Sequence, residues 1–222
     1  MSRTARINVL LAALAVVVIG AVIIVFTIRD NRTTASAPSA SSLASKPLTP
    51  THVLGEAGTG SVTVVEFLDF ECEACGAFYP YVEQLRKDYA GEVTFGFRYF
   101  PLPGHGNSRT SAAAVEAAAR QGKTEQMYQQ MYETQSEWGE RGTDSQADRF
   151  RGYAETLGLD MQRYDRDVVS AEVTDLIQAD VDLGNRLGVS STPTFFINGK
   201  VITLQAYTDL QDAVDAAVRA EQ

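Results

Sequence analysis

The sequence predicts an α/β domain interrupted by a block of helices and preceded by one membrane-spanning helix. Three observations lead there. Residues 61–102 read as strand, helix and strand; residues 107–188 carry helical periodicity; and residues 194–204 return to strand as a hairpin. Ahead of all of these, Ile7 to Ile28 runs for 22 residues without a charge.

That N-terminal stretch comes first in the chain. At ~1.5 Å per residue it spans roughly 33 Å, enough for the hydrocarbon core of a bilayer. Arg3 and Arg6 precede it, which suits residues 1–6 staying in the cytoplasm, although Arg29 and Arg32 follow and weaken the bias. A cleaved signal peptide is the competing reading, but its apolar region should be only ~7–15 residues long. A cleavage-like triplet, Ala35-Ser36-Ala37, is followed at once by Pro38. Residues 7–28 are therefore expected to be a single-pass anchor. Residues 29–50 are rich in Ser, Ala, Thr and Pro without apolar periodicity, the composition of a flexible linker. Residues 51–222 would then form one domain on the extracytoplasmic side of the cell membrane, where disulfide chemistry belongs.

Within that domain, SVTVVEFLDFECEACGAFY (Ser61 to Tyr79) opens as a strand and reaches Cys72-Glu73-Ala74-Cys75. Phe78, Tyr81, Val82 and Leu85 then recur at helical spacing. A cysteine entering a helix sits among unpaired backbone N–H groups that stabilise a thiolate. Cys75 lies one turn on and on the same face, so the two sulfurs can close and reopen a disulfide. Glu92 to Leu102 alternates as a second strand, ended by Pro101 and Pro103-Gly104. Strand, helix and strand make a right-handed parallel crossover. Asn107 or Ser108 is expected to cap an alanine-rich helix reaching Gln121. Met127, Tyr128, Met131 and Tyr132 mark another helix, whose stripe reads as core; Trp138 is expected to pack in the same block. Further helices are expected over Asp144 to Leu157, Asp160 to Ser170 and Ala171 to Leu187. Asn198-Gly199 is a strong hairpin signal between Thr194 to Ile197 and Val201 to Leu204, and Tyr207 to Ala220 reads as the last helix.

Composition narrows the function. An apolar fraction of 45% with 21% charged residues is ordinary for a globular core. The net charge is −9, and five of the 19 basic residues but one of the 28 acidic ones precede residue 51. So acidic a domain is a poor partner for nucleic acid. Cys72 and Cys75 are the only cysteines, and with His52 and His105 far from them no standard zinc pattern is complete. A structural disulfide closing so short a loop would remove little chain entropy. Two inert thiols are the remaining alternative; redox exchange is the favoured reading, with no organic cofactor or metal required.

VEFLDFECEAC resembles the first strand and active site of the thioredoxin superfamily, in its DsbA-like branch. Thr192-Pro193-Thr194-Phe195-Phe196-Ile197-Asn198-Gly199 is similar to that family's cis-proline strand and hairpin, in the same order along the chain. The resemblance implies a thioredoxin fold over residues 51–222 with a helical insertion at about 107–188. It implies Cys72 as nucleophile and Cys75 as the buried resolving thiol. Alternation with Val64 and Leu68 puts Glu66 on an internal face, where a raised pKa would let it exchange a proton with Cys75. The alternative for Glu66 is a strand-edge carboxylate paired with a cation, and the family's carboxylate at this offset favours the former. Pro193, trans by default, is implied to be cis and to face the disulfide. Thr192 before it would pair its backbone with an extended client, as in strand addition.

The expected activity is thus thiol–disulfide oxidoreduction on unfolded or partly folded clients with free thiols, as a disulfide donor. A quinone-coupled membrane partner, implied by the family, would reoxidise the pair. The alternatives are a reductase or isomerase, although residues 29–60 offer no dimerisation module, and a copper-binding thiol chaperone. Two local features bear on the site. Glu73 and Ala74 depart from the family's commonest inter-cysteine pairs, and Asp69, Glu71 and Glu73 surround Cys72 with like charge that opposes a thiolate unless they are solvated at a loop rim. His105, after Phe100-Pro101-Leu102, is expected to be a loop or capping residue.

Overall fold

The computed structural model describes residues 48–139, 142 and 144–221. The expected anchor, residues 7–28, and all but the end of the linker lie outside the described residues. Among those described, no helix is long and apolar enough to cross a membrane.

Five strands form one sheet: β1 His52–Val53, β2 Thr63–Leu68, β3 Thr94–Tyr99, β4 Thr194–Ile197 and β5 Lys200–Ile202. Their order across the sheet is β1-β3-β2-β4-β5. β2 and β3 run parallel, joined through helix α1 (Glu73–Asp88), while β4 pairs antiparallel with β2 and with β5. The β4–β5 turn uses Asn198 (φ 50°) and Gly199 (φ 77°), the two left-handed residues that a tight hairpin of this hand requires. The Asn198 side chain then accepts from Thr63 N at 2.8 Å, tying the turn to the start of β2.

Seven further helices follow among the described residues: α2 Ser108–Ala119, α3 Thr124–Glu133, α4 Gln135–Trp138, α5 Ala147–Thr156, α6 Met161–Asp167, α7 Ala171–Leu187 and α8 Thr208–Arg219. α7 keeps the bounds predicted from its pattern, and both ends have local causes. Ser170 Oγ accepts from Val173 N at the start, and Gly188 turns left-handed (φ 83°) at the end. The alanine-rich helix α2 begins where expected but is not capped as expected. Asn107 turns its side chain away, donating to Asp144 O and accepting from Gln146 N, and Ser108 Oγ bonds Leu102 O and His105 O. Both side chains are drawn off by the loops on either side of the helix start.

Helices cover both faces of the sheet, so every residue from Val64 to Leu68 is buried, and alternation along β2 separates two buried layers instead of core from solvent. Val64, Phe95, Phe195 and Ile197 pack with Val82 and Leu85 of α1 and with Leu210 and Val214 of α8. Farther along the same face, Phe97 and Tyr99, with Phe70, pack into the insert against Met127, Tyr128, Met131 and Tyr132, the stripe read as core, while Phe67 and Phe196 on the opposite face pack against Val181, Leu183 and Leu187 of α7. Trp138 is fully buried edge-on to Phe150, 4.8 Å between ring centres.

One charged residue of the α7 stripe is also buried. Asp180 accepts from Thr51 Oγ1 (2.7 Å) and Tyr99 N (3.0 Å) and pairs with Arg98, so it ties the entry segment and β3 to α7. Burial still holds its carboxyl above the ordinary range, the three partners offsetting this only in part. Asp180→Ala strands all three partners and is expected to lower the unfolding free energy by about 3 kcal/mol. Urea unfolding measures it; a loss below about 1 kcal/mol would mean that water replaces the carboxylate without penalty.

Candidate active site

β2 ends at Leu68, and the chain turns through Asp69 to Glu71 before α1 begins. Cys72 is the N-cap residue of α1, with extended backbone (φ −68°, ψ 118°), and its carbonyl accepts from Gly76 N at 3.1 Å. The sulfur stands where a capping oxygen usually would. Cys75 follows one turn into the helix and is 1% exposed, against 8% for Cys72, and both are free thiols. Across from them the Thr192–Pro193 bond is cis, and Cys72 Sγ lies 3.4 Å from Thr192 O.

These surroundings separate the two thiols. A hydrogen bond from Cys75 holds the Cys72 pKa down to about 5 against the cost of burial; Thr192 and the N–H groups of Cys75 and Ala74 add to it. The Thr192 hydroxyl is buried and makes no hydrogen bond of its own; the contact seen is between Cys72 Sγ and the Thr192 carbonyl. Cys75 moves the opposite way: burial, the bond it gives to Cys72 and the charge of Glu66 push it well above the usual thiol value. At neutral pH the pair therefore consists of one thiolate and one thiol, the arrangement that makes one sulfur a nucleophile and leaving group and the other a proton carrier.

Glu66 is 4% exposed in the middle of the sheet, paired in register with Phe97 on one side and Phe195 on the other. It is not at a strand edge. Burial, helped by the nearby Cys72 charge, raises its pKa to about 8, so at neutral pH the carboxyl is mostly protonated. The buried hydroxyls of Tyr128 and Tyr132, which have no hydrogen-bond partner, both feel its charge.

A family model described as Thioredoxin_4, a thioredoxin, matches residues 48–216. The chain belongs to that thioredoxin family. Among solved structures, a thioredoxin-like oxidoreductase from Silicibacter pomeroyi is 32% identical, covering 80% of this chain and 96% of that one, with a TM-score of 0.63. BdbD from Bacillus subtilis in its oxidised form (21% identical, 78% and 98% covered, TM-score 0.65) and DsbA from Xylella fastidiosa (22%, 79% and 90%, 0.63) share the fold. Family and fold together place the chain among thioredoxin-like proteins that share the fold of DsbA, with the cysteine pair at the start of the first long helix. The chain is also 39% identical over 140 residues to the Na(+)/H(+) antiporter NhaA 3 of Salinispora tropica, covering 63% of this chain and 20% of that protein. It thus spans only about a fifth of that curated relative's length.

In this thioredoxin-family site the acidic residues around Cys72 do something other than either expectation. Asp69 and Glu71 are both 2% exposed, so they are not solvated at a rim. Asp69 accepts from Glu71 N and Leu102 N at 2.9 Å each and from His105 Nδ1 at 2.7 Å; Glu71 accepts from Asn107 N at 2.6 Å. Their charge is spent on tying the active-site turn to the loop that enters α2. Only Glu73 is exposed. His105 is a loop residue, as expected. Burial alone would lower its pKa, but Asp69, with smaller help from the Cys72 and Glu71 charges, holds it above the usual value.

Two residues absent from the sequence-based set also reach the turn. They are Asn107, through its backbone N–H, and Gln135, whose side chain donates to Phe70 O and Cys72 O. No local signal marks Gln135: a glutamine opening a one-turn helix reads as solvated.

Proposed function

We propose that this oxidoreductase is a disulfide donor that oxidises client proteins outside the cytoplasm through Cys72 and Cys75. The observation that carries the proposal is the split of the two thiols, with Cys72 lowered to about 5 and Cys75 raised. A thiolate held in the reduced state stabilises that state, and whatever stabilises the dithiol makes the disulfide a stronger oxidant.

In this mechanism a client thiolate attacks Cys72 Sγ of the disulfide, and the S–S bond breaks with its electron pair going to Cys75. Glu66, protonated at neutral pH, gives its proton to Cys75 and is reprotonated from solvent. A second client thiolate then attacks the client sulfur of the mixed disulfide, and Cys72 leaves as its stable thiolate. The client is oxidised by two electrons and the Cys72–Cys75 pair reduced by two. Thr192 and Pro193 border the sulfur, where an extended client can pair with the Thr192 backbone.

A cleft of 540 Å³ adjoins this edge, lined by Phe78, Pro193, Thr194, Leu204 and Tyr207 among others. At its rim Tyr81 and Tyr207, about half exposed, stack face to face at 4.4 Å. The lining is mixed, with Ser190, Ser191 and Gln205 beside these apolar and aromatic groups, which suits an extended client backbone with varied side chains. The uncharged stretch 7–28 supports a single-pass anchor holding the domain on the extracytoplasmic side, and catalytic turnover then requires a membrane partner that reoxidises the pair.

The test is the redox potential of the full chain in glutathione buffers. It is expected near or above roughly −180 mV, among disulfide donors. A value near roughly −270 mV, that of thioredoxin, would make the protein a reductant and end the donor proposal.

A further inference from the structure

We propose that Gln135 is a positioning residue through which the helical insert sets the acidity of Cys72. The inference rests on the exchange chemistry of the cysteine pair and is independent of its direction.

The Gln135 side chain is buried, and its Nε2 donates to Phe70 O and to Cys72 O, each at 2.8 Å. These two carbonyls stand on either side of Glu71 and bracket the turn that delivers the nucleophile. Cys72 O also receives the first bond of α1, from Gly76 N. One carboxamide therefore holds the carbonyl that anchors the helix start. The N–H groups of Ala74 and Cys75, which favour the thiolate, belong to that same first turn. Their aim at the sulfur depends on the turn staying where Gln135 keeps it.

Gly76 is the other half of the arrangement. A Cβ at this position would stand 1.9 Å from Gln135 Oε1 and 2.8 Å from its Cδ, so the carboxamide lies flat against bare backbone. A glycine inside a helix loses about 1 kcal/mol relative to alanine. Here it makes room for a side chain arriving from the insert. Gln135 is itself held firmly. Its carbonyl accepts from Gly139 N at 2.7 Å, and Trp138, three residues on, is locked against Phe150.

The effect on chemistry follows because only the reduced protein carries a thiolate. A residue that merely braced the fold would stabilise the reduced and oxidised forms alike and leave their equilibrium unchanged. One that aligns the helix start against the thiolate favours the reduced form alone.

The experiment uses the full chain with Gln135→Leu, Gln135→Ala, Gly76→Ala and the double variant Gly76→Ala/Gln135→Ala. The thiolate's ultraviolet absorbance is titrated against pH, and the equilibrium constant with glutathione is measured beside it. Gln135→Leu is expected to raise the Cys72 pKa by about one unit and to weaken the oxidant about tenfold at neutral pH, equivalent to about 30 mV. Gly76→Ala should do the same in the wild-type background, by displacing the carboxamide, and little further in the Gln135→Ala background, where its methyl group has room. That second route keeps the proposal testable should Gln135→Leu fail to fold. Unchanged pKa and equilibrium constant in folded Gln135→Leu or Gly76→Ala, with only the melting temperature lowered, would overturn it. If the wild type itself formed no reversible disulfide, exchange would fail together with this inference, an outcome distinct from variants that match the wild type.

Discussion

Cys72→Ser is expected to abolish disulfide exchange, returning the initial rate of insulin reduction by dithiothreitol to the uncatalysed background. Cys75 cannot take over. It is 1% exposed, and its pKa lies well above the usual thiol value, so at neutral pH it is neither accessible nor ionised. Cys75→Ser should fail differently. The serine hydroxyl can donate to Cys72 in place of the Cys75 thiol, the helix N–H groups remain, and the thiolate still attacks a client disulfide. With no second thiol to resolve it, the mixed disulfide should persist and run as a covalent adduct on a non-reducing gel. Substantial activity in Cys72→Ser, or adducts formed by Cys72→Ser and not by Cys75→Ser, would reverse the two roles.

The stability gap between reduced and oxidised protein is expected to move in favour of the reduced form by about 1.4 kcal/mol for each pH unit between 5 and 8. In the reduced protein the Cys72 thiol is lowered from 9.0 to about 5. Its contribution is therefore complete above pH 9, shrinks as pH falls and is gone below 5. Glu66 acts in the other sense: raised from 4.5 to about 8, it keeps through that window a proton that the unfolded chain releases. Its effect lowers stability as pH rises. Because its first cause is burial, it does so in both redox forms. The oxidised protein, with Glu66 alone, should lose stability from pH 5 to 8, whereas in the reduced protein the two slopes roughly cancel. Urea unfolding of both forms at pH 5 and pH 7 should show the gap shifting by about 3 kcal/mol. Glu66→Gln should flatten the oxidised form's slope and leave the gap's slope largely in place. A gap independent of pH would mean that Cys72 is not an unusually acidic thiol in the folded chain.

Much of this was legible in the sequence, and the reasons are local. The strand into Cys72-Glu73-Ala74-Cys75, the span of the Ala171 to Leu187 helix and the Asn198-Gly199 turn depend on residues within a few positions of one another. Periodicity carried the Met127 to Tyr132 stripe into the core and Glu66 to an internal face. What periodicity missed was short or contested. β1 is two residues long, too short for any period, and the Asn107 side chain had better partners across the loops than at its own helix start.

The sequence by itself determined the chemistry of this protein: two cysteines at a helix entrance, a carboxylate on the preceding strand and a threonine–proline pair 120 residues on, all specified by residue type and spacing. Only the tertiary structure decided how that chemistry is tuned. Asp69 and Glu71 look from their positions like charges set against a thiolate, yet each is consumed by N–H groups more than 30 residues away. Gln135 reaches carbonyls 63 and 65 residues before it, and Asp180 reaches Thr51 across 129. A buried polar group must find its partner wherever the packed chain brings one, and that choice is made by three-dimensional neighbours that no local pattern encodes.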